Sequence, residues 1–472
     1  MRLQHSITEL IVSDRRIPVI TGVVVIFLVI IDLLMTRQIL PYTNDSELLM
    51  FMLTVSICYG VGSFILLKFA EGVTKDVRGK SRFLNYMHWV AVIIQFVFLG
   101  FLIYVLSSEL YFGSYNNNTR IFTTSVFAVS SIAATVNMAI IASRFFSWYK
   151  LSNKKNLTVL LYGFAALTLA LSIAEDASTK LLMLRVVEEP SPPGSVAKST
   201  FLYKASDKYS GEIEYKVVNQ HTTTLYILPK SYLAYYNLLN SIVIPVGFVL
   251  RWGASTMLLR NFYQRVAKLP ISFWIILSLP LVLYLIGKMP GFFAGESLAG
   301  VDEPYRFYFR ILFRAGTIGG NILFGLAFLI VARKVSAGRL RDYLTLAGIG
   351  DTIVGIALST SALQVTYGAA AHSMVLLSSY LFCMGLYVSA IAVSQDNSLR
   401  RSIKRSVPEL FDNVGSAQTE KAMLEKAIKL LKANREEIEE ETGGISYTLT
   451  EDDVRVYIQQ IIQEKKRSTQ RM

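Results

Sequence analysis

Ten apolar runs dominate this chain, at residues 17–35, 48–70, 88–106, 122–141, 157–174, 232–259, 271–286, 311–331, 344–358 and 373–392. Most reach about 18 residues, enough for a helix to cross a hydrocarbon layer of roughly 30 Å. A backbone inside lipid must satisfy its own hydrogen bonds, so each run is expected to be a helix. Composition agrees: 53% of the residues are hydrophobic and 17% are charged, against about 25% charged in an ordinary soluble domain. The fold class read from this is an all-α polytopic integral membrane protein with about ten transmembrane helices.

The net charge of +13 would suit a nucleic-acid binder, but its distribution does not. The basic residues gather in alternate loops. One loop holds Lys75, Arg78, Lys80 and Arg82, and the next of the set Arg144, Lys150, Lys154 and Lys155. Then come Arg260, Arg265 and Lys268, followed by Arg333, Lys334, Arg339 and Arg341. Arg400, Arg401, Lys404 and Arg405 follow the last run. With Arg15 and Arg16 they all fall on one side. The positive-inside rule makes that side cytoplasmic, with both termini inside and the plasma membrane as the expected location. The bilayer is the expected partner. No zinc knuckle or RNA-binding signature is present, and nucleic acid is not expected. Asp14-Arg15-Arg16 before the first run looks like the start of a signal segment. The run is too long for a signal core and no small-residue cleavage site follows, so it reads as a retained span.

Two polar stretches divide the chain into 1–174, 175–231, 232–394 and 395–472. The stretch 175–231 alternates β-like runs (LLMLRVV, STFLYK, EIEYKVV, TTLYILP) with turn-forming EEPSPPGS, ASDKYSGE and NQHT. It reads as a small β-rich extracytoplasmic insertion. Some fifty-odd residues without a disulfide make a marginal domain, which needs support from the membrane loops or a second copy. The stretch 395–472 reads as a two-helix cytoplasmic tail. Met423, Leu424, Ala427, Ile428, Leu431 and Ile438 share one helical face, and Val454, Tyr457, Ile458, Ile461 and Ile462 another. Two short amphipathic helices bury little alone, so they need each other, a second protomer or a cytoplasmic protein partner.

Chemistry-bearing motifs are scarce. Cys58 and Cys383 lie inside apolar runs and read as small buried residues. His5, His88, His221 and His372 are scattered, with no HExxH or HxxxH spacing, so no metal or other cofactor is expected. No kinase, ATP-binding or phosphate-loop motif occurs, and the chain is read as a non-enzyme.

One residue stands out. LTLAGIGDTIVGIALS (344–359) is apolar apart from Asp351 near its middle. Asp351 lies nine residues from Asp342, the last cytoplasmic charge, or roughly 13 Å along a helix, which is close to the membrane midplane. Gly348 and Gly355 lie on its face of the helix and would let another helix approach closely. A buried charge is costly unless paired. Arg251 is nine residues from Arg260 and can share that depth, so an Arg251–Asp351 ion pair is expected, with Asn321 as a second neighbour. The other reading puts Arg251-Trp252 at the inner interface, with the sixth span ending at Leu250. A second polar group is an outer basic stripe, Arg306, Arg310 and Arg314, spaced by four on one face of the eighth span. It can snorkel to headgroups, form an anion site, or pair with Glu175 and Asp176.

The segment 157–172 aligns without gaps on 344–359, with Leu, Thr, Gly, Ala, Leu and Ser coinciding. This is the pattern of a parallel duplication, and Phe164 then stands where Asp351 stands. GIGD (348–351) resembles the GxGD motif of intramembrane aspartyl proteases. That resemblance implies a pair of aspartates sharing a proton. The eighth span has no aspartate, the tenth no Pro-Ala-Leu motif, and Asp32 is the only other intramembrane acid. Asp45-Ser46-Glu47 is similar to the acidic pair of membrane glycosyltransferases, on a very short loop.

Three functions are therefore expected in descending order. The first is a sensor or interaction protein linking the outer β-rich part to the cytoplasmic tail. The second is a secondary transporter using Asp351, with Pro245 breaking the sixth span and Gly316, Gly319 and Gly320 loosening the eighth. The last is the aspartyl protease.

Overall fold

The computed structural model describes residues 16–36, 45–78, 82–112, 117–151, 157–182, 186–190, 198–205, 212–218, 222–229, 235, 238–263, 271–293, 303–334, 338–358 and 369–395. The tail readings at 395–472 lie outside these residues, apart from Gln395.

Among the described residues, ten long helices follow in order: α1 (Arg16–Thr36), α2 (Asp45–Arg78), α3 (Arg82–Phe112), α4 (Asn117–Leu151), α5 (Leu157–Leu182), α6 (Ile244–Tyr263), α7 (Ile271–Phe293), α8 (Glu303–Lys334), α9 (Gly338–Ala357) and α10 (Ala369–Gln395). Among the described residues, eight of them (α2 to α8, and α10) are long and apolar enough to cross a membrane. The expected ten becomes eight by this measure. The apolar part of α1 is short, Ile17–Leu28, and α9 carries Arg339, Arg341, Asp342 and Asp351 in twenty residues.

Helix contacts run in a closed circuit, α4 on α5, α5 on α6, α6 on α8, α8 on α9, α9 on α10, and α10 back on α4. Helices α1 and α2 pack against α9 and α10, and α3 packs against α10, while α7 packs mainly on α8. The result is a bundle with α9 at its heart: every residue from Tyr343 to Ala357 is buried. Outward faces stay apolar, as on α3, where Trp89, Ile93 and Phe96 are exposed. That is the expected surface where the solvent is hydrocarbon.

Four strands lie between α5 and α6: β1 (Val186–Pro190), β2 (Lys198–Ala205), β3 (Glu212–Val218) and β4 (Thr222–Pro229). They form one antiparallel sheet in the order β1-β4-β3-β2. Tyr226 pairs with Val186 on one side and Tyr215 on the other. The first strand begins later than its sequence run suggests, because α5 continues to Leu182 and absorbs the two leucines.

Three local readings change. The sixth span was expected from residue 232, with Pro245 breaking it. The helix instead opens with one π-type turn, Leu239–Val243, in which the Ile244 N–H bonds the Leu239 carbonyl. Pro245 then follows inside the same continuous helical run, and the wider π-type turn before it accommodates the ring and the missing N–H. The glycines of α8 do not loosen it, since the helix is continuous from Glu303 to Lys334. They are contact points, with Gly316 against the backbone of Tyr284 and Gly320 against the Phe248 ring. Asp45-Ser46-Glu47 opens α2 and is not a loop, with acids where the helix dipole favours them.

Candidate intramembrane polar site

The bundle brings Arg251, Asn321 and Asp351 together from three helices. Arg251 Nη2 donates to Asp351 Oδ1 at 2.6 Å and to the Asp351 backbone carbonyl at 3.2 Å. Arg251 Nη1 donates to Asn321 Oδ1 at 2.7 Å. The guanidinium carbon also lies 4.6 Å from the centroid of the Phe324 ring. One arginine thus binds a carboxylate, an amide oxygen, a main-chain carbonyl and a ring face. Exposure is 6% for Arg251, 3% for Asp351 and 2% for Asn321, so the cluster sits in protein. Arg251 lies mid-helix in α6, within the membrane-length stretch Ser241–Arg260, and its neighbour Trp252 donates Nε1 to the Leu277 carbonyl of α7 at 2.9 Å.

Glycine makes the room. A Cβ on Gly355 would collide with Asn321 Oδ1 and stand 2.9 Å from Arg251 Nη1. Gly348 faces Leu329 and the backbone of Gly325, bringing α9 against α8. Gly350, one residue before the acid, faces the backbone of Ser378 and Phe382, bringing α9 against α10. The stretch Gly-Ile-Gly-Asp is therefore a packing device with a helix on each side. Thr352 returns its hydroxyl to the Gly348 carbonyl at 2.9 Å, inside its own helix.

Two further polar groups border the cluster. Ser255 lies one turn beyond Arg251 on α6, and Tyr162 on α5 is within electrostatic reach of both charges. Both hydroxyls are buried and lie close to each other, facing no other side-chain partner among the described residues. Sequence reasoning missed them. Ser255 was accessible to it, because i+4 from an intramembrane arginine is the same face. Tyr162 was not, because nothing in the sequence says that its helix lies beside α6.

Other polar contacts knit the bundle elsewhere. His88 Nδ1 and the Tyr380 hydroxyl are 2.7 Å apart, joining α3 to α10. Tyr59 donates its hydroxyl to Gln95 Oε1. Ser131 donates to Asp176 Oδ2 at 2.8 Å, and Cys383 Sγ donates to the Asn137 carbonyl at 3.1 Å. No group of three or more potential metal ligands occurs among the described residues.

The outer basic stripe is placed in part. Arg306, Arg310 and Arg314 all lie in α8. Arg314 is half-buried, with its guanidinium carbon 5.6 Å from the Phe313 ring centroid. The side chains of Arg306 and Arg310, and that of Asp32 in α1, lie outside what the structure describes. The two aligned segments differ in setting, since Phe164 is exposed against Phe146 while Asp351 is buried. Compared with known proteins, the chain matches no family model, no curated protein and no solved structure.

Proposed function

We propose that this chain is a ten-span protein of the plasma membrane with both termini cytoplasmic. In this reading it is a non-catalytic sensor or interaction protein that links the sheet, placed outside, to the cytoplasmic tail. The Arg251–Asp351 pair is then a structural lock. The observation that carries the reading is the engagement of Asp351: its carboxylate is held by Arg251 at 2.6 Å in a buried three-helix junction. A transporter needs an acid that can release its partner to take a proton or cation. The connectivity supports the same reading. The sheet sits between α5 and α6, and α6 carries Arg251 into the junction with α8 and α9. A displacement of the sheet would pull on that helix.

The transporter reading has one observation in its favour, the buried Tyr162 and Ser255 hydroxyls beside the pair. Uptake separates the two. In proteoliposomes loaded with a pH-sensitive dye or supplied with radioactive sodium, wild type and Asp351→Asn should show the same background flux. Flux that depends on Asp351 would make the transporter the right reading. The linkage itself is tested by replacing 184–231 with a short Gly-Ser linker in nanodiscs. Hydrogen exchange in α6 and α9 should rise, and unchanged exchange would remove the coupling.

A further inference from the structure

Helices α4 and α10 pack side by side with their chains running the same way. Asn137 of α4 meets α10 first: its Nδ2 donates to Ser379 Oγ at 3.4 Å, and its carbonyl accepts from Cys383 Sγ at 3.1 Å. Further along both helices, Arg144 lies over the Tyr387 ring, with Cζ 5.5 Å from the centroid. The seam thus passes from a closed polar contact to an open one. Among the described residues, no carboxylate lies within ion-pair distance of Arg144, and neither its guanidinium nor the Tyr387 hydroxyl makes a hydrogen bond. Both side chains are half-buried, so each is reached from outside the bundle.

Arg144 falls within the membrane-length stretch Ser125–Lys150. It stands roughly 9 Å along the helix from Lys150, a depth from which an arginine still reaches the headgroups. A cation there with no acid beside it is costly unless an anion comes from outside the chain. The ring takes one face of the guanidinium and leaves its edge, where the N–H donors lie, open. That planar fork matches two oxygens of a phosphate. The neighbouring surface fits the rest of a lipid. Ile132 and Val136 are exposed on α4, and Ser143, beside Arg144, continues their stripe. A soluble anion leaves such an apolar stripe bare, whereas an acyl chain covers it. The sequence adds Lys150, Lys154 and Lys155 at this end of α4, a basic set that attracts anionic lipid.

We infer that the α4–α10 seam binds the phosphate of an anionic phospholipid, held by Arg144 on the Tyr387 ring, with an acyl chain along Val136 and Ile132. Assigning the site to the inner leaflet rests on the orientation proposed above, and the site itself does not. A lipid bound there bridges two helices of the closed circuit.

The test uses the full chain purified in a phosphate-free maltoside detergent, so membrane orientation does not enter. The protein is incubated with phosphatidylglycerol, or with zwitterionic phosphatidylcholine, and retained lipid is counted by native mass spectrometry. Saturable retention is expected, stronger for phosphatidylglycerol. It should fall about tenfold in Arg144→Gln, the size of one lost charge-assisted bond, and change by less than about twofold in Lys150→Gln. Lys150 is exposed at the same helix end and reports general attraction to a basic surface. Arg144→Lys keeps the charge and should retain more lipid than Arg144→Gln, which separates loss of charge from loss of fold. Equal retention by wild type and Arg144→Gln overturns the site, and so does an equal fall in Lys150→Gln. Equal retention of the two lipids overturns the requirement for an anionic one. Calorimetric binding of inorganic phosphate that Arg144→Gln abolishes would overturn the lipid assignment and make the ligand a soluble anion. The sensor reading rests on Asp351 and the sheet and stands or falls separately from each of these results.

Discussion

Helices α7 and α9 are of similar length, 23 and 20 residues, and they are opposites. Helix α7 is built of Ile, Leu, Phe and Trp, and only 11% of its membrane-length stretch is buried. Helix α9 carries three glycines, two threonines and an aspartate between Leu344 and Ala357, and all of that stretch is buried. In a water-soluble protein the greasier helix would be inside. Here the surrounding solvent is hydrocarbon, so apolar bulk has no reason to leave the surface. Close backbone contact and internal hydrogen bonds decide which helix is central. The contrast explains why an acid sits in the middle of α9 and why its neighbours are glycines.

The largest effect that can break this contrast falls on the ion pair. Asp351→Asn or Arg251→Met leaves a buried partner uncompensated, and each is expected to destabilise the bundle by about 3–5 kcal/mol. Replacing both together, as Arg251→Met with Asp351→Leu, is expected to recover most of that loss, because two buried charges are removed at once. Thermal or denaturant unfolding of the four proteins in one detergent gives the cycle. Additive losses would mean that the two residues do not act as a pair.

The next effect is at Asn321. Its Oδ1 accepts from Arg251 Nη1 at 2.7 Å, and Asn321→Ala removes a bond to a charged group. A cost of about 1.5–3 kcal/mol is expected from the same unfolding measurement. It should shrink to near zero when made in the Arg251→Met background, since the donor is then already gone. An undiminished loss would show that Asn321 supports α8 by some other contact.

Much of this was readable beforehand. The helices were visible as apolar runs, and the Arg251–Asp351–Asn321 meeting followed from depth counting and the cost of an unpaired charge. What resisted reading were features decided by neighbours. Gly350 looks like Gly348 in sequence, yet one packs on α10 and the other on α8. Gly316, Gly319 and Gly320 suggest a loose helix until the backbone and rings they accommodate are known. Pro245 suggests a break, and the preceding π-type turn removes it. Tyr162, with Thr158 one turn before it, gives no sign that α6 lies alongside. In each case the missing information is which other helix lies alongside.

A smaller effect comes from filling a gap. Gly355→Ala places a methyl group against Asn321 Oδ1 and Arg251 Nη1. The cluster must shift, and a loss of about 1–3 kcal/mol is expected. Because the added group meets the Asn321 side chain first, the loss should be relieved in the Asn321→Ala background. A cost that persists there would point to a clash with the helix backbone instead.

The smallest effect lies on the outward face of α7 and sharpens the comparison most directly. Ile276 is exposed there, while Ile353 on α9 is fully buried. Truncating Ile353 to Ala opens a cavity that the packed junction cannot fill, at about 2–5 kcal/mol. The same truncation at Ile276 opens no cavity, because a lipid or detergent chain moves into the space, and a change within about 0.5 kcal/mol is expected. The chemistry removed is identical, so the difference isolates what surrounds each residue. Equal losses would mean that the face of α7 is covered by protein in the native assembly. A stable Ile276→Ala beside a damaged Ile353→Ala would place the energetic centre of the bundle at α9, around the one acid that the sequence sets among its glycines.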